Sequence, residues 1–262
     1  MRILISLWRS VLTWERTSQL ALGIALVLFV LDLIILANVP DLQTPALIGV
    51  VGLALAIQAI FMWGNRHMVT PYTQAQRHFI AGEFHQVIAV LTDYLENEAH
   101  PTLDALVLLG NAYRNLGQLA ESKRILKQAL ARRPNYHFTL YALAKVALAQ
   151  GDYADAMLGF EQALAQGAPD VIRFDLAHAR YRAGDVVDTI PLWRVFTSAE
   201  EPHRALLAQY ILCRIASETP PAPDLRDAGL PFWIAEAERF AHTPYGQVVA
   251  KDVHQLQAGL TT

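Results

Sequence analysis

Charge is scarce in this 262-residue chain: 17% of its residues are Asp, Glu, Lys or Arg, against roughly 25% in an ordinary soluble domain. Hydrophobic residues make up 53% and the mean hydropathy is +0.25, so part of the chain is expected not to face water. The formal net charge of −3 leaves no global basic field to attract nucleic acid. A single cysteine, Cys213, excludes an internal disulfide framework and fits a reducing compartment. The fourteen glycines and thirteen prolines are an ordinary share, which excludes a fibrous or low-complexity chain.

Chemical motifs are missing as well. There is no GxGxxG, none of the four lysines follows a P-loop glycine, and there is no GxSxG, no HExxH and no cysteine pair for zinc. His78 and His85 stand seven apart, but Gly82 breaks any helix between them, and they read as surface histidines. Asp175 and His178 are one turn apart without an accompanying nucleophile. Cys213, in the apolar run Tyr-Ile-Leu-Cys, reads as a small hydrophobe. The expectation is a protein that is not an enzyme, with no catalytic residue, cofactor or metal site.

The apolar excess lies at the front. Residues 20–39 (LALGIALVLFVLDLIILANV) carry one ionisable group, Asp32, and residues 46–63 (ALIGVVGLALAIQAIFMW) carry none. At 1.5 Å per residue they rise about 30 and 27 Å, which matches a hydrocarbon core of ~30 Å. Pro40–Pro45 closes the turn between them. The first run is too long for a signal-peptide core, and Ile35-Leu36-Ala37 lacks the small-x-small cleavage pattern. A two-helix transmembrane hairpin over residues 18–66 is the expectation. Arg2, Arg9 and Arg16 precede it, Arg66 and Arg77 follow it, and the turn holds no Lys or Arg. That bias places both termini, and everything after residue 66, on the cytoplasmic face of the inner (plasma) membrane.

Residues 1–17 carry Ile3, Leu4, Leu7, Trp8, Val11 and Leu12 on one helical stripe, with the three arginines opposite. This is the pattern of an amphipathic helix lying in the bilayer interface; the alternative is a loose cationic flank that only sets topology. Asp32 also has two readings: a contact with a polar group on another transmembrane helix, or a protonated side chain bonded within the hairpin. Gly49, Gly52 and Ala56 form a small-residue face that admits a neighbouring helix.

From residue 70 the pattern changes to short amphipathic helices. Gly82, Gly117, Gly151 and Gly184 recur at 35, 34 and 33 residues, and the text around them realigns: LGNAYRNLGQLAESKRILKQAL (109–130), LAKVALAQGDYADAMLGFEQAL (143–164) and LAHARYRAGDVVDTIPLWRVF (176–196). Small residues fall where paired helices come close, and Pro134 and Pro169 stop the second helix of their units. This pattern resembles the tetratricopeptide repeat family. Leu106-x2-Leu109-Gly110-x2-Tyr113, then Ser122-x3-Leu126 and Pro134, match its signature with Ser in the usual Ala position. A second good unit runs from Leu140 to Pro169, a third is diverged at Arg180, and a degenerate one spans about Tyr72 to Pro101. The fold class implied is all-α, a transmembrane hairpin followed by a solenoid over 70–200, with a helical cap and C-terminal helices over 201–262. Helices are expected at 203–216, 230–242 and 245–258.

The resemblance implies a concave groove lined by the first helix of each unit. Counting from the turn glycines, Asn111, Arg114, Asn115, Tyr141, Lys145, Phe174, His178 and Arg182 should face it, with Arg114, Lys145 and Arg182 exposed as three cations in one channel. That set suits an acidic or carboxylate-bearing protein segment. The basic cluster Lys123, Arg124, Lys127, Arg132 and Arg133 falls on the outer wall as a solvated face. The expected role is a membrane-anchored adaptor that binds protein partners, touching the bilayer but no nucleic acid. The alternative is a non-catalytic accessory or assembly subunit of a larger membrane complex, with Asp32 and the glycine face as its interface to other transmembrane helices.

Overall fold

The computed structural model describes residue 11 and residues 14–64, 70–98 and 101–258. Among these residues the fold is all-α, with thirteen α-helices and no strand. It divides into two compact units, Met1–Thr70 and Pro71–Thr262.

The first unit is a helical hairpin, α1 (Arg16–Asn38) and α2 (Gln43–Gly64), joined by a single 3-10 turn at Pro40–Leu42. Pro40 opens that turn because its fixed φ and missing N–H suit a first helical position. The helices have 23 and 22 residues, about 35 and 33 Å, somewhat longer than the apolar runs themselves. Both are long and apolar enough to cross a membrane. They bury little of this surface in the protein: Leu20, Ile24 and Ile48 are 67%, 61% and 70% exposed. The hairpin is closed at one end by Trp14, whose ring meets Phe61 edge-on at 5.2 Å. The amphipathic helix expected over residues 1–17 falls, apart from residues 11 and 14–17, outside the described residues.

The second unit begins with four helix pairs: α3 (Pro71–Ile80) with α4 (Phe84–Asn97), α5 (Leu103–Asn115) with α6 (Leu119–Arg132), α7 (His137–Gln150) with α8 (Tyr153–Ala165), and α9 (Arg173–Ala183) with α10 (Ile190–Phe196). The four recurrent glycines turn each pair, with φ between +73° and +94°, a region that costs glycine nothing and a β-carbon about 1 kcal/mol. Gly110 shows why the small positions recur. A β-carbon there would lie 2.5 Å from Leu126 Cγ, so α5 and α6 can touch only because it is absent. The same approach accommodates Ser122 in place of alanine: its buried Oγ donates to the Gly110 carbonyl at 2.7 Å.

Leu91, Leu106, Leu126, Phe160 and Trp193 are buried to 1% exposure or less and run as one core through successive pairs. The fourth pair is irregular, since α10 has only seven residues and starts with Pro191 in its first turn. Trp193 still holds it, with its ring edge-on to Phe174 at 5.6 Å.

Three further helices follow: α11 (Pro202–Ala216), α12 (Pro223–Arg239) and α13 (Pro244–Ala258). Helix α11 buries Leu206, Leu207, Tyr210 and Ile211 completely or nearly so. Helix α12 departs from the sequence expectation, which placed a helix over 230–242. It begins at Pro223 and passes through Pro231. The lost hydrogen bond there is tolerated because packing holds both halves. Gly229 lets α12 press against Leu206 and the Pro202 carbonyl, and Trp233 donates to the His203 carbonyl at 2.8 Å. Helix α13 then turns back and lies against α7.

Candidate functional site

The first helices of three pairs bring six of the expected groove residues to one cavity of about 220 Å³: Arg114 and Asn115 from α5, Tyr141 and Lys145 from α7, and Phe174 and His178 from α9. The cavity is not an open channel. Helices α12 and α13 roof it with Trp233, Glu236, Arg239 and Tyr245, and the start of α11 adds His203 and Arg204.

The cations fall into two groups, which corrects the picture of three exposed charges in one channel. Lys145 is committed: its Nζ donates to Asp175 Oδ1 at 2.8 Å, and the Tyr141 hydroxyl donates to Asp175 Oδ2 at 2.8 Å. Burial works to lower the Lys145 pKa, but Asp175 and then Tyr141 outweigh it and hold the ammonium above its ordinary value. Tyr141 is pushed up to about 12 by burial, with the Asp175 carboxylate countering the pull of Lys145. Arg182 does not line the cavity. Its guanidinium pairs with Asp252 of α13, the two side chains being 5% and 6% exposed. Asp252 also accepts from the Tyr210 hydroxyl at 2.8 Å and from Arg214 Nη1 at 3.2 Å. Asn111 lies outside the cavity too, half-buried, its carbonyl accepting from Asn115 Nδ2 at 2.9 Å.

Arg114 is different. Its Nε is buried without a hydrogen-bond partner, and the side chain makes no ion pair among the described residues. His178, 1% exposed, accepts from Arg182 Nε at 3.0 Å through Nε2, so the neutral ring carries its proton on Nδ1. Burial first, then the Arg182 and Lys145 charges, hold its pKa well below 6.5. Tyr245, 2% exposed, packs its ring on His178 with centroids 5.7 Å apart. Its hydroxyl has no partner among the described residues, and burial and then Glu236 raise its pKa well above 10.

In the hairpin, Asp32 turns towards Gly49 of α2, occupying the space a β-carbon there would need. Gly52 and Ala56 face outward, and a β-carbon at Gly52 would meet nothing within 4 Å.

The residues that sequence reasoning missed are those of α11, α12 and α13. Their signals were present: Pro223 and Pro244 mark helix starts, and the adjacent aromatics Phe232 and Trp233 mark a buried stretch. Nothing in a local pattern says that α13 folds back across the first helices.

The tetratricopeptide repeat family model matches residues 103–136, which span α5, α6 and the turn into α7. Similar solved structures include a MamA RS-1 double mutant (19% identity over 72% of this chain and 93% of that one, TM-score 0.47) and MamA AMB-1 (17%, 73% and 99%, TM-score 0.44). The TPR-like repeats of a Podosopora anserina kinesin light chain are also similar (17%, 72% and 93%, TM-score 0.41). No curated protein matches the sequence. A tetratricopeptide repeat is thus matched at α5–α6, and the same helix–glycine–helix geometry recurs on either side of it.

Proposed function

We propose that this protein is a membrane-anchored scaffold that recruits a protein partner through the concave face of α5, α7 and α9. Stacked helix pairs of this kind present extended concave surfaces for binding. The observation that carries the reading is the convergence of three successive first helices on one polar surface, with Arg114 unpaired beside it. A guanidinium of this kind suits a carboxylate, which accepts two parallel hydrogen bonds from it. Two apolar helices of spanning length support the anchor, and the arginine bias in the sequence supports a cytoplasmic repeat unit. Tethering to the bilayer raises the effective concentration of a weakly held partner, so no catalytic step is required.

The test is site-specific photocrosslinking from Asn111, at the edge of the concave face, in intact membranes. Arg114→Glu should abolish a discrete adduct, whereas Lys127→Glu on exposed α6 should retain it. Equal recovery from both variants rejects the groove as the recruiting surface. Lys145 and Arg182 are unsuited to charge reversal, because each would set a glutamate against the aspartate it now pairs with.

A further inference from the structure

We propose that the roofed cavity between the repeats and α12–α13 is a binding site for a small organic acid carrying one or two carboxylates. The inference deepens the reading of the same site, since it rests on Arg114 as the carboxylate-binding group, and names a free acid as the ligand held there.

The argument starts from unmet hydrogen bonds. Buried donors in folded proteins nearly always have partners, and an orphan calls for an explanation. One such atom is here, Arg114 Nε; His178 Nδ1 and the Tyr245 hydroxyl, on side chains no more than 2% exposed, line the same cavity and donate to no protein group among the described residues. Both carboxylates of the lining are engaged: Asp175 accepts from Lys145 and Tyr141, and Glu236 accepts from Arg239 Nη1 at 2.9 Å. The buried Arg114 Nε calls for an acceptor. The charge balance agrees, since the lining holds four cations, Arg114, Lys145, Arg204 and Arg239, against two carboxylates.

Size and enclosure narrow the class. A cavity of about 220 Å³ lies below the roughly 300–1,000 Å³ of sites for drug-sized ligands. Helices α12 and α13 line it on one side with Trp233, Glu236, Arg239 and Tyr245. A planar carboxylate fits the fork of Arg114, with Tyr245 placed to donate a further hydrogen bond, and Tyr141, Phe174 and Trp233 provide apolar walls for a short carbon skeleton.

The test uses the full chain in detergent micelles, titrated calorimetrically with succinate, glutarate and acetate at matched ionic strength. Parallel arms use inorganic phosphate and a C-terminally amidated acidic peptide. Saturable 1:1 binding of at least one free acid is expected. It should weaken at least tenfold in Arg114→Gln and severalfold in Tyr245→Phe, and stay unchanged in Lys127→Gln. Tyr245→Phe keeps the ring packing, so it reads the site even if the arginine variant folds poorly. Binding of none of the acids at 10 mM (about a Kd beyond the weakest useful range), or equal affinity in wild type and both cavity variants, overturns the proposal. Preference for phosphate overturns the carboxylate class, and binding of the peptide alone assigns the donors to a partner's side chain and overturns the small-molecule site.

Discussion

Asp252 is the residue on which the closure of the groove depends most directly. It is 4% exposed and receives Arg182, the Tyr210 hydroxyl and Arg214. In Asp252→Ala the Arg182 guanidinium stays buried and keeps only His178 Nε2, a neutral acceptor. Removing one partner of a buried ion pair costs about 3–5 kcal/mol, mostly the cost of the charge left behind. Arg214, whose side chain is 39% exposed, can turn to water and adds little. In a unit of this size 1 kcal/mol shifts Tm by about 2–4 °C, so the loss should be roughly 6–20 °C. Circular dichroism melts of residues 71–262, alongside the full chain in micelles, read this directly. The double variant Arg182→Met/Asp252→Leu removes both charges and should recover most of the loss, because well-packed apolar replacements of buried pairs are often neutral. A single-variant shift under about 2 °C, or a double variant as unstable as the single one, refutes the reasoning.

The fragment 71–262 should itself be soluble and cooperatively folded, since its core is internal to it; persistent aggregation would show that it needs the hairpin. Stability should fall with acid. The His178 pKa is held below 6.5 in the fold, so the unfolded chain takes up a proton that the folded chain refuses as pH drops through 6.5. The fall in Tm between pH 7.5 and 5.5 should be shallower in His178→Asn, and an unchanged slope counts against this role. Gly110→Val should cost about 1–3 kcal/mol by forcing α5 from α6, with a wild-type urea midpoint as the contrary result. Reporter fusions after residues 43 and 70 should report opposite sides of the membrane, with residue 70 cytoplasmic; the same side for both excludes a spanning α2.

Where sequence reasoning succeeded, the determinants were local. The turn glycines announce a positive φ, Gly110 and Ala144 announce close helix contact, and the 34-residue period announces stacked pairs. All of these are properties of a few neighbouring residues and their backbone. Where it fell short, the determinants were distant. The sequence places a helix over 230–242, but the packing of Gly229 and Trp233 on α11 lets α12 run from Pro223 through Pro231. The pattern around Asp32 leaves its contact open, and the folded hairpin sets it against Gly49.

By itself, the sequence determined that this chain has an apolar two-helix front and a helical-repeat body with its first helices facing inward, because periodicity and steric rules act over a few residues. Only the tertiary structure decided what the inward face meets. Arg114, Lys145 and Arg182 come one from each of three successive first helices. In the folded chain Lys145 is neutralised by Asp175, thirty residues away, Arg182 by Asp252, seventy residues away, and Arg114 by neither. The next first helix, α9, supplies Asp175 and the returning α13 supplies Asp252, and buried charge must find its counter-charge wherever the fold brings one within reach.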